Sequence, residues 1–306
     1  MIVIIGAGMA GLACARRLTG AGHTPVVLDK GRGIGGRVAT RRFGDLQFDH
    51  GAQYVNAHGA EFAAVLGGLG GAVAGWQDGT GRAHSVGVPG MSAIPAAMGA
   101  GLDIRQNVQV VRVLQTGKGW ALHLANGTIQ AAQVVITVPA PQVADLLGEK
   151  HPLVAALAPV RLAPCLTLMA AVTAPAPFIT RQDADDPLAW IAQDSTKPGR
   201  PQNAGPLWVA QAGEAFSSAH LEQTPEEIAA HMMPQLCDRL GVPLDRATHA
   251  VAHRWRYARV TQALGQPFLR NPDATLYLGG DWCIGPRIEA AWTSGTAIAD
   301  DILAQG

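Results

Sequence analysis

The first thirty residues, "MIVIIGAGMAGLACARRLTGAGHTPVVLDK", constrain the fold more than any other stretch. Ile2–Ile5 is wholly apolar, as a strand buried on both faces of a parallel sheet would be. Gly6, Gly8 and Gly11 follow with GxGxxG spacing. Residues 12–18 carry helical periodicity, and residues 25–28 resume an apolar strand ending on Asp29. This is the order expected of a dinucleotide-binding βαβ unit, with its acid about 20 residues beyond the glycines. Gly6 allows the tight turn, Gly8 lets backbone approach a pyrophosphate, and Gly11 brings helix against strand. Ala10 belongs to the same phosphate-facing turn, where free N–H groups and the helix dipole favour an anion. Asp29 would accept hydrogen bonds from a ribose, with Lys30 beside it.

The next segment distinguishes between dinucleotides. "KGRGIGGRVATRR" adds a second glycine turn and a fixed cation, with Gly36 and Arg37 at its centre. A longer, bent FAD needs such a second support, and a plain NAD site does not. Arg37 would lie over the pyrophosphate. In "FDHGAQY", the turn through His50, Gly51 and Ala52 would bring backbone amides and Gln53 towards an isoalloxazine, with Tyr54 at the substrate side. Near the other end stands "GGDWCIGPRIEAAWTSG". A strand over 274–278 precedes it, and a helix over 288–303 overlaps its end. That helix would aim its N-terminus at the flavin C2=O, with Ala290 and Ala291 keeping the approach open and Glu289 orienting the turn, alone or with Arg287. Trp282 and Trp292 flank the helix entrance, either as pocket walls or as core.

Totals narrow the partners. The 306 residues carry 23 basic and 23 acidic side chains, with no Lys/Arg block. Nothing favours a nucleic acid or a membrane surface, and no apolar run reaches the roughly 20 residues of a membrane span. Cys14, Cys165, Cys237 and Cys283 lack metal-ligand spacing, so no metal site is expected. They fit isolated reduced thiols in the cytoplasm. Non-covalent FAD is the expected cofactor.

Taken together, "GAGMAGL", "VVLDKGRGIGGRVATRR", "FDHGAQY" and "GGDWCIGPRIEAAWTSG" resemble the flavin amine-oxidase superfamily. "KPGRP" (197–201) and "HRWRYA" (253–258) resemble its renalase-like branch in particular. The resemblance implies an α/β fold: a doubly wound Rossmann-like FAD domain with an inserted substrate domain on a mixed or antiparallel sheet. The FAD domain would comprise 1–72, 92–148 and 273–306, and the substrate domain 73–91 and 149–272. It also implies that Val110 meets the adenine through its backbone and that Gly280 and Asp281, at the end of the 274–278 strand, hold the middle of the cofactor. Strands over 162–172, 207–212 and 250–257 and a helix over Pro225–Leu240 fit the inserted unit. Thr224 and Glu227 have capping-box spacing, and Pro234 should kink or split that helix. A hairpin is expected to turn at Asn126-Gly127.

Many amine oxidases of the superfamily carry a lysine bridged by water to flavin N5. This chain has four lysines, and the stretch that should carry that one, "LAPCLTLMAAV", has none. A dihydropyridine needs no such base, because aromatisation drives hydride loss. The renalase-like resemblance implies oxidation of aberrant dihydro isomers of NAD(P)H to NAD(P)⁺, with electrons passed to O₂. The substrate would then be a dinucleotide. As a regular strand, "HRWRYAR" would put His253, Trp255, Tyr257 and Arg259 on one face, able to stack a nicotinamide and bind phosphate. Arg181 and Arg200 are further candidates for phosphate. A conventional amine oxidase, a desaturase and a non-enzymatic flavin-binding sensor remain as alternatives.

Overall fold

The computed structural model describes residues 1–201 and 205–305. Its first sheet has six strands, in the order Leu269–Arg270, Leu276–Leu278, Gln133–Ile136, Ile2–Ile5, Val26–Leu28 and Asp103–Arg105. Neighbours are parallel except at the Leu269–Arg270 edge. Ile2–Ile5 is central and wholly buried, and its alternation serves two cores. Ile2 and Ile4 point into one with Leu12 and Leu18, while Val3 and Ile5 join Val134, Ile136 and Leu278 in the other. This is the Rossmann-like arrangement expected.

The helix Met9–Gly20 lies against the C-terminal helix Ile288–Gln305. Their approach is close: a Cβ on Gly295 would stand 2.0 Å from the Ala10 carbonyl oxygen. Among the described residues no helix is long and apolar enough to cross a membrane.

A meander of Val110–Thr116, Gly119–Leu124 and Gly127–Ala131 follows the parallel unit. Leu124 pairs with Gly127, so the turn residues are Ala125 and Asn126 rather than Asn126 and Gly127. Gly127 occupies the first position after the turn at φ 128°, a conformation open to glycine.

The inserted sheet is antiparallel, in the order Thr180–Gln182, Trp190–Gln193, Leu207–Gln211, Arg161–Val172 and Ala247–Gln262. Its two faces follow strand alternation. Leu166, Leu168, Ala170 and Val172 pack under the helix Pro225–Leu240. Met169 and Ala171 face the hairpin Thr40–Phe43/Leu46–Asp49, whose Phe48 is fully buried between them and Leu207 and Val209. The Thr224–Glu227 capping box forms at the helix start. The helix runs unbroken through Pro234, with Ile228 and Met232 before it and Leu236 and Leu240 after it in the same core. A second hairpin, Val73–Gln77/Ala83–Gly87, buries Trp76 and Val86 against the first core.

Candidate active site

The N-terminal glycines build a cradle. Gly6 has φ 108°, and a Cβ there would meet the Thr137 hydroxyl at 2.8 Å. A Cβ on Gly11 would lie 1.9 Å from the Gly6 carbonyl oxygen, so strand and helix meet backbone to backbone. Gly8 differs from both: its Cβ would enter open space. Gly8 is also the N-cap, with no side-chain cap, and its carbonyl accepts the amide of Leu12. The amides of Met9, Ala10 and Gly11 therefore lack intrahelical partners. The second glycine turn lies beside the first, with Gly35 bridged to Gly8 and its amide bonded to the Ala7 carbonyl at 2.7 Å. Gly36, at φ 57°, faces the Gly8 Cα. Orphan amides around an open, glycine-walled cradle fit a pyrophosphate.

Asp29 braces this cradle from below. Its carboxylate accepts the amides of Ala7 at 2.6 Å and Gly31 at 2.7 Å. One hydrogen bond on each oxygen leaves acceptor capacity for a ribose. Lys30 reaches Gln142 at 3.3 Å on the exterior. Val110 is buried and pairs with Leu124 at the start of its strand.

Arg37 and Asp281 form a bidentate pair at 2.6 and 2.9 Å, and Arg37 also donates to the Ala258 carbonyl at 2.9 Å. One contact therefore joins the second glycine turn, the C-terminal segment and the long strand of the inserted sheet. Gly51 lies on Arg37: a Cβ there would be 2.0 Å from the Arg37 carbonyl oxygen, which accepts the Ala52 amide at 2.9 Å. The Gly280 amide is tied to the Ser294 hydroxyl at 2.9 Å.

Behind the strap His50–Gly51–Ala52 stands a network absent from the sequence expectations. Lys197 is 0% exposed and donates to Asp194 at 2.6 Å, to Asp49 at 3.3 Å and to Gln53 Oε1 at 3.3 Å. Arg200 pairs with the same Asp49 oxygen and donates to the carbonyls of Gly87 and Pro198, both at 2.7 Å. The other Asp49 oxygen accepts from the Thr40 hydroxyl at 2.7 Å and the Met91 amide at 2.9 Å. Burial alone would raise the Asp49 carboxyl, but Lys197, Arg200, Thr40 and Met91 outweigh it and hold it below the carboxylate range. Asp194 is shifted upward by burial, and the nearby Asp49 charge adds to that.

Three expectations change here. Gln53 does not reach towards the cofactor: its Nε2 donates to the carbonyls of Asp49 and of Gly51 (3.1 Å), and its Oε1 faces Lys197. Arg200 is not a pocket cation, because Asp49 and two carbonyls hold it in the interior. Arg181 is also engaged elsewhere, beside Asp183 and Asp186 at the surface.

The strand Ala247–Gln262 departs from regular alternation. Cys165 pairs with Trp255 but Ala163 with Arg259, so four residues on one strand span two on the other. His253 and Trp255 stay together and meet His50. The His50 and Trp255 rings stack at 5.2 Å, His50–His253 are edge-on at 4.8 Å, and His253–Trp255 at 4.4 Å. Trp255 Nε1 donates to the His50 carbonyl at 2.7 Å. Burial, the neighbouring His253 and Arg41 push the His50 pKa down to about 3. Burial with Arg41 and Arg254 pushes His253 down to about 4, so both imidazoles are neutral near pH 7. Arg259, at the far end of this irregular stretch, pairs with Glu214 at 3.4 Å in solvent. Tyr257 is half-buried within the stretch. Tyr54 stacks on His84 at 3.9 Å, and His84 pairs with Asp78 at 3.0 Å.

At the C-terminal helix, Ala290 is buried and Ala291 half-buried at the first turn. Glu289 accepts the amides of His58 at 2.9 Å and Gly59 at 2.7 Å, so it orients the start of the helix Ala60–Gly68. Among the described residues Arg287 takes no part in this. Trp282 is 1% exposed and donates to the Val138 carbonyl at 3.0 Å, which makes it core rather than pocket wall. Trp292 packs on Phe62 at 5.3 Å. Cys283 is buried, and burial pushes its thiol up to about 12.

Residues 4–67 match a family model described as an NAD(P)-binding Rossmann-like domain, and residues 76–303 one described as flavin containing amine oxidoreductase. Among solved structures, a putrescine oxidase bound to putrescine superposes with a TM-score of 0.77 at 14% identity, covering 99% of this chain and 98% of that one. Cyclohexylamine oxidase from Brevibacterium oxydans IH-35A gives 0.76 at 12% identity, covering 99% and 98%. At such identities the likeness is one of fold. Curated relatives match over short stretches: an L-amino-acid oxidase of Crotalus adamanteus is 56% identical over 41 residues, 13% of this chain and 8% of that protein. A 15-cis-phytoene desaturase of Synechococcus elongatus is 53% identical over 38 residues, 12% and 8% respectively.

Proposed function

Because the chain belongs to the flavin-containing amine oxidoreductase family, we propose that it is a renalase-like FAD-dependent oxidase of aberrant dihydro-NAD(P) isomers, yielding NAD(P)⁺. Bound FAD supplies the hydride acceptor at N5, and O₂ takes the electron pair and two protons to give H₂O₂. The chain's own part is to bind and orient. The amides after Gly8 would receive the pyrophosphate, and Asp29 the ribose. Arg37 and Asp281 would hold the middle of the cofactor. The strap His50–Gly51–Ala52 and the first turn of Ile288–Gln305 would flank the ring. Non-covalent attachment is supported by the buried, protonated state of Cys283.

The observation that carries the substrate reading is the state of Lys197. The strand Arg161–Val172 holds no lysine, and the buried Lys197 directs its three ammonium hydrogens to Asp194, Asp49 and Gln53. No donor remains on it for a water at flavin N5. A hydride donor that needs no base suits such a site, and two neutral imidazoles beside Trp255 offer flat, uncharged surface to a nicotinamide. The fold likeness to a putrescine oxidase and a cyclohexylamine oxidase favours the second reading, a flavin amine oxidase. Anaerobic mixing of the FAD-loaded protein with 2- and 6-dihydro-NAD, NADH and a panel of amines decides between them. Fast loss of the flavin absorbance with the dihydro isomers is expected. Fast loss with an amine, and none with the isomers, overturns the proposal.

A further inference from the structure

The cations of "HRWRYAR" are all committed. Arg254 donates to the carbonyls of Leu221 and Gln223, Arg256 forms a bidentate pair with Glu222, and Arg259 pairs with Glu214. Arg41 is different. It is half-buried, its guanidinium lies over the Phe43 ring at 5.3 Å, and among the described residues it makes no hydrogen bond or ion pair. Its neighbour Arg42 points elsewhere, donating to Gln47 at 3.1 Å.

The hairpin register fixes where Arg41 sits. Arg41 is opposite Phe48, one pair beyond Thr40–Asp49, and His50 follows directly. Phe43 and Phe48 rest on His249, at 4.9 and 5.7 Å, and His253 follows two alternations further along that strand. Arg41 thus lies over the strand face that carries His253 and Trp255, close enough for its charge to lower the basicity of both His50 and His253. His50 is 8% exposed, and its Nδ1 has no hydrogen-bond partner. The one carboxylate adjoining His50 in the chain, Asp49, is turned into the Lys197–Arg200 network. A guanidinium with five donors and none used, a buried imidazole nitrogen left unpaired and a stacked pair of flat rings form one corner of the molecule.

We propose that Arg41, with His50, His253 and Trp255, forms a subsite for the phosphate-bearing arm of a nucleotide substrate. Phosphate oxygens meet the Arg41 guanidinium, and a planar base lies along the His50–Trp255 stack. This rests on the reading above that the substrate is a dinucleotide, and it names the residues that would select one.

Binding rather than turnover tests it. FAD-loaded protein is titrated with NAD⁺, with ADP-ribose and with inorganic phosphate, following the flavin spectrum and the heat of binding. Arg41→Gln should weaken NAD⁺ and ADP-ribose about tenfold, the loss expected for one charge-assisted hydrogen-bonded contact. FAD occupancy should be unchanged, and Arg42→Gln should leave both affinities within about twofold of wild type. Inorganic phosphate should bind far more weakly than ADP-ribose; equal affinity would mean an anion site with no nucleotide recognition and overturns the proposal. So does wild-type protein that binds no NAD⁺ at millimolar concentration, an Arg41→Gln variant that binds as wild type, or equal losses in Arg41→Gln and Arg42→Gln. If NAD⁺ binding depends on Arg41 while no dihydro isomer reduces the flavin, the subsite stands and the reaction assignment falls.

Discussion

Replacing Lys197 by Met probes the link between the inserted sheet and the cofactor strap. The ammonium is 0% exposed and makes three contacts, at 2.6, 3.3 and 3.3 Å. Their loss is uneven. Asp49 keeps Arg200, the Thr40 hydroxyl and the Met91 amide. Asp194 keeps the Asp49 amide at 3.2 Å and Arg200 at 4.0 Å, and Gln53 Oε1 loses its donor. Removing one member of a buried ion pair costs about 3–5 kcal/mol, because the remaining charge stays desolvated. That is a large share of a total stability of roughly 5–15 kcal/mol. The double change Asp194→Asn/Lys197→Met removes one charge of each sign and leaves Asp49 with Arg200. It should cost clearly less than Lys197→Met alone, a coupling that additive, independent sites cannot produce.

The sign of the pH dependence follows from Asp194. Burial already raises its carboxyl above the ordinary range, and losing Lys197 removes the largest opposing attraction. A carboxyl whose folded pKa lies above its unfolded value binds a proton more readily when folded. The deficit of Lys197→Met should therefore shrink as pH falls from 8 to 5 and grow as it rises. Urea unfolding at several pH values, with flavin retention after dialysis as a parallel readout, measures both effects. A Lys197→Met protein within about 1 kcal/mol of wild type, or a double variant costing the sum of the singles, would refute the reasoning.

The glycine cradle separates folding from binding. Gly8→Ala should fold with wild-type stability and lose FAD on dialysis, since its Cβ meets only open space, whereas Gly11→Ala should unfold at markedly lower urea because its Cβ would be 1.9 Å from the Gly6 carbonyl; equal stabilities would contradict this, as would full FAD retention by Gly8→Ala. His50 gives an acid-side prediction. Burial first, then His253 and Arg41, lower its pKa from 6.5 to about 3, so it contributes stability above pH 6.5 that is lost as pH falls. Between pH 6.5 and 5 that loss should be about 2 kcal/mol and absent from His50→Gln, as read by urea midpoints.

What was legible in the sequence was local. The glycine spacing, the Thr224–Glu227 capping box and the strand over 162–172 each depend on residues a few positions apart, and each took its expected form. The errors arose where strand irregularity or distance intervened. Alternation predicted a shared face for His253, Trp255, Tyr257 and Arg259, but the strand is irregular opposite 163–165 and Arg259 pairs with Glu214 in solvent. Gln53 looked like a ligand because it follows a glycine turn, yet its NH2 donates to the Asp49 and Gly51 carbonyls and its oxygen is taken by Lys197, 144 positions away. A partner that distant leaves no mark beside Gln53. The only trace is in "DSTKPGR", where an acid and two cations stand at three-residue spacing between prolines and glycine. On a helix surface that spacing would be an ordinary solvated pair. Here, directly after the strand Trp190–Gln193, it brings two cations and an acid into the interior together. Such a group is stable only if it meets a further acid, and Asp49, on the strap that would face the flavin, is that acid.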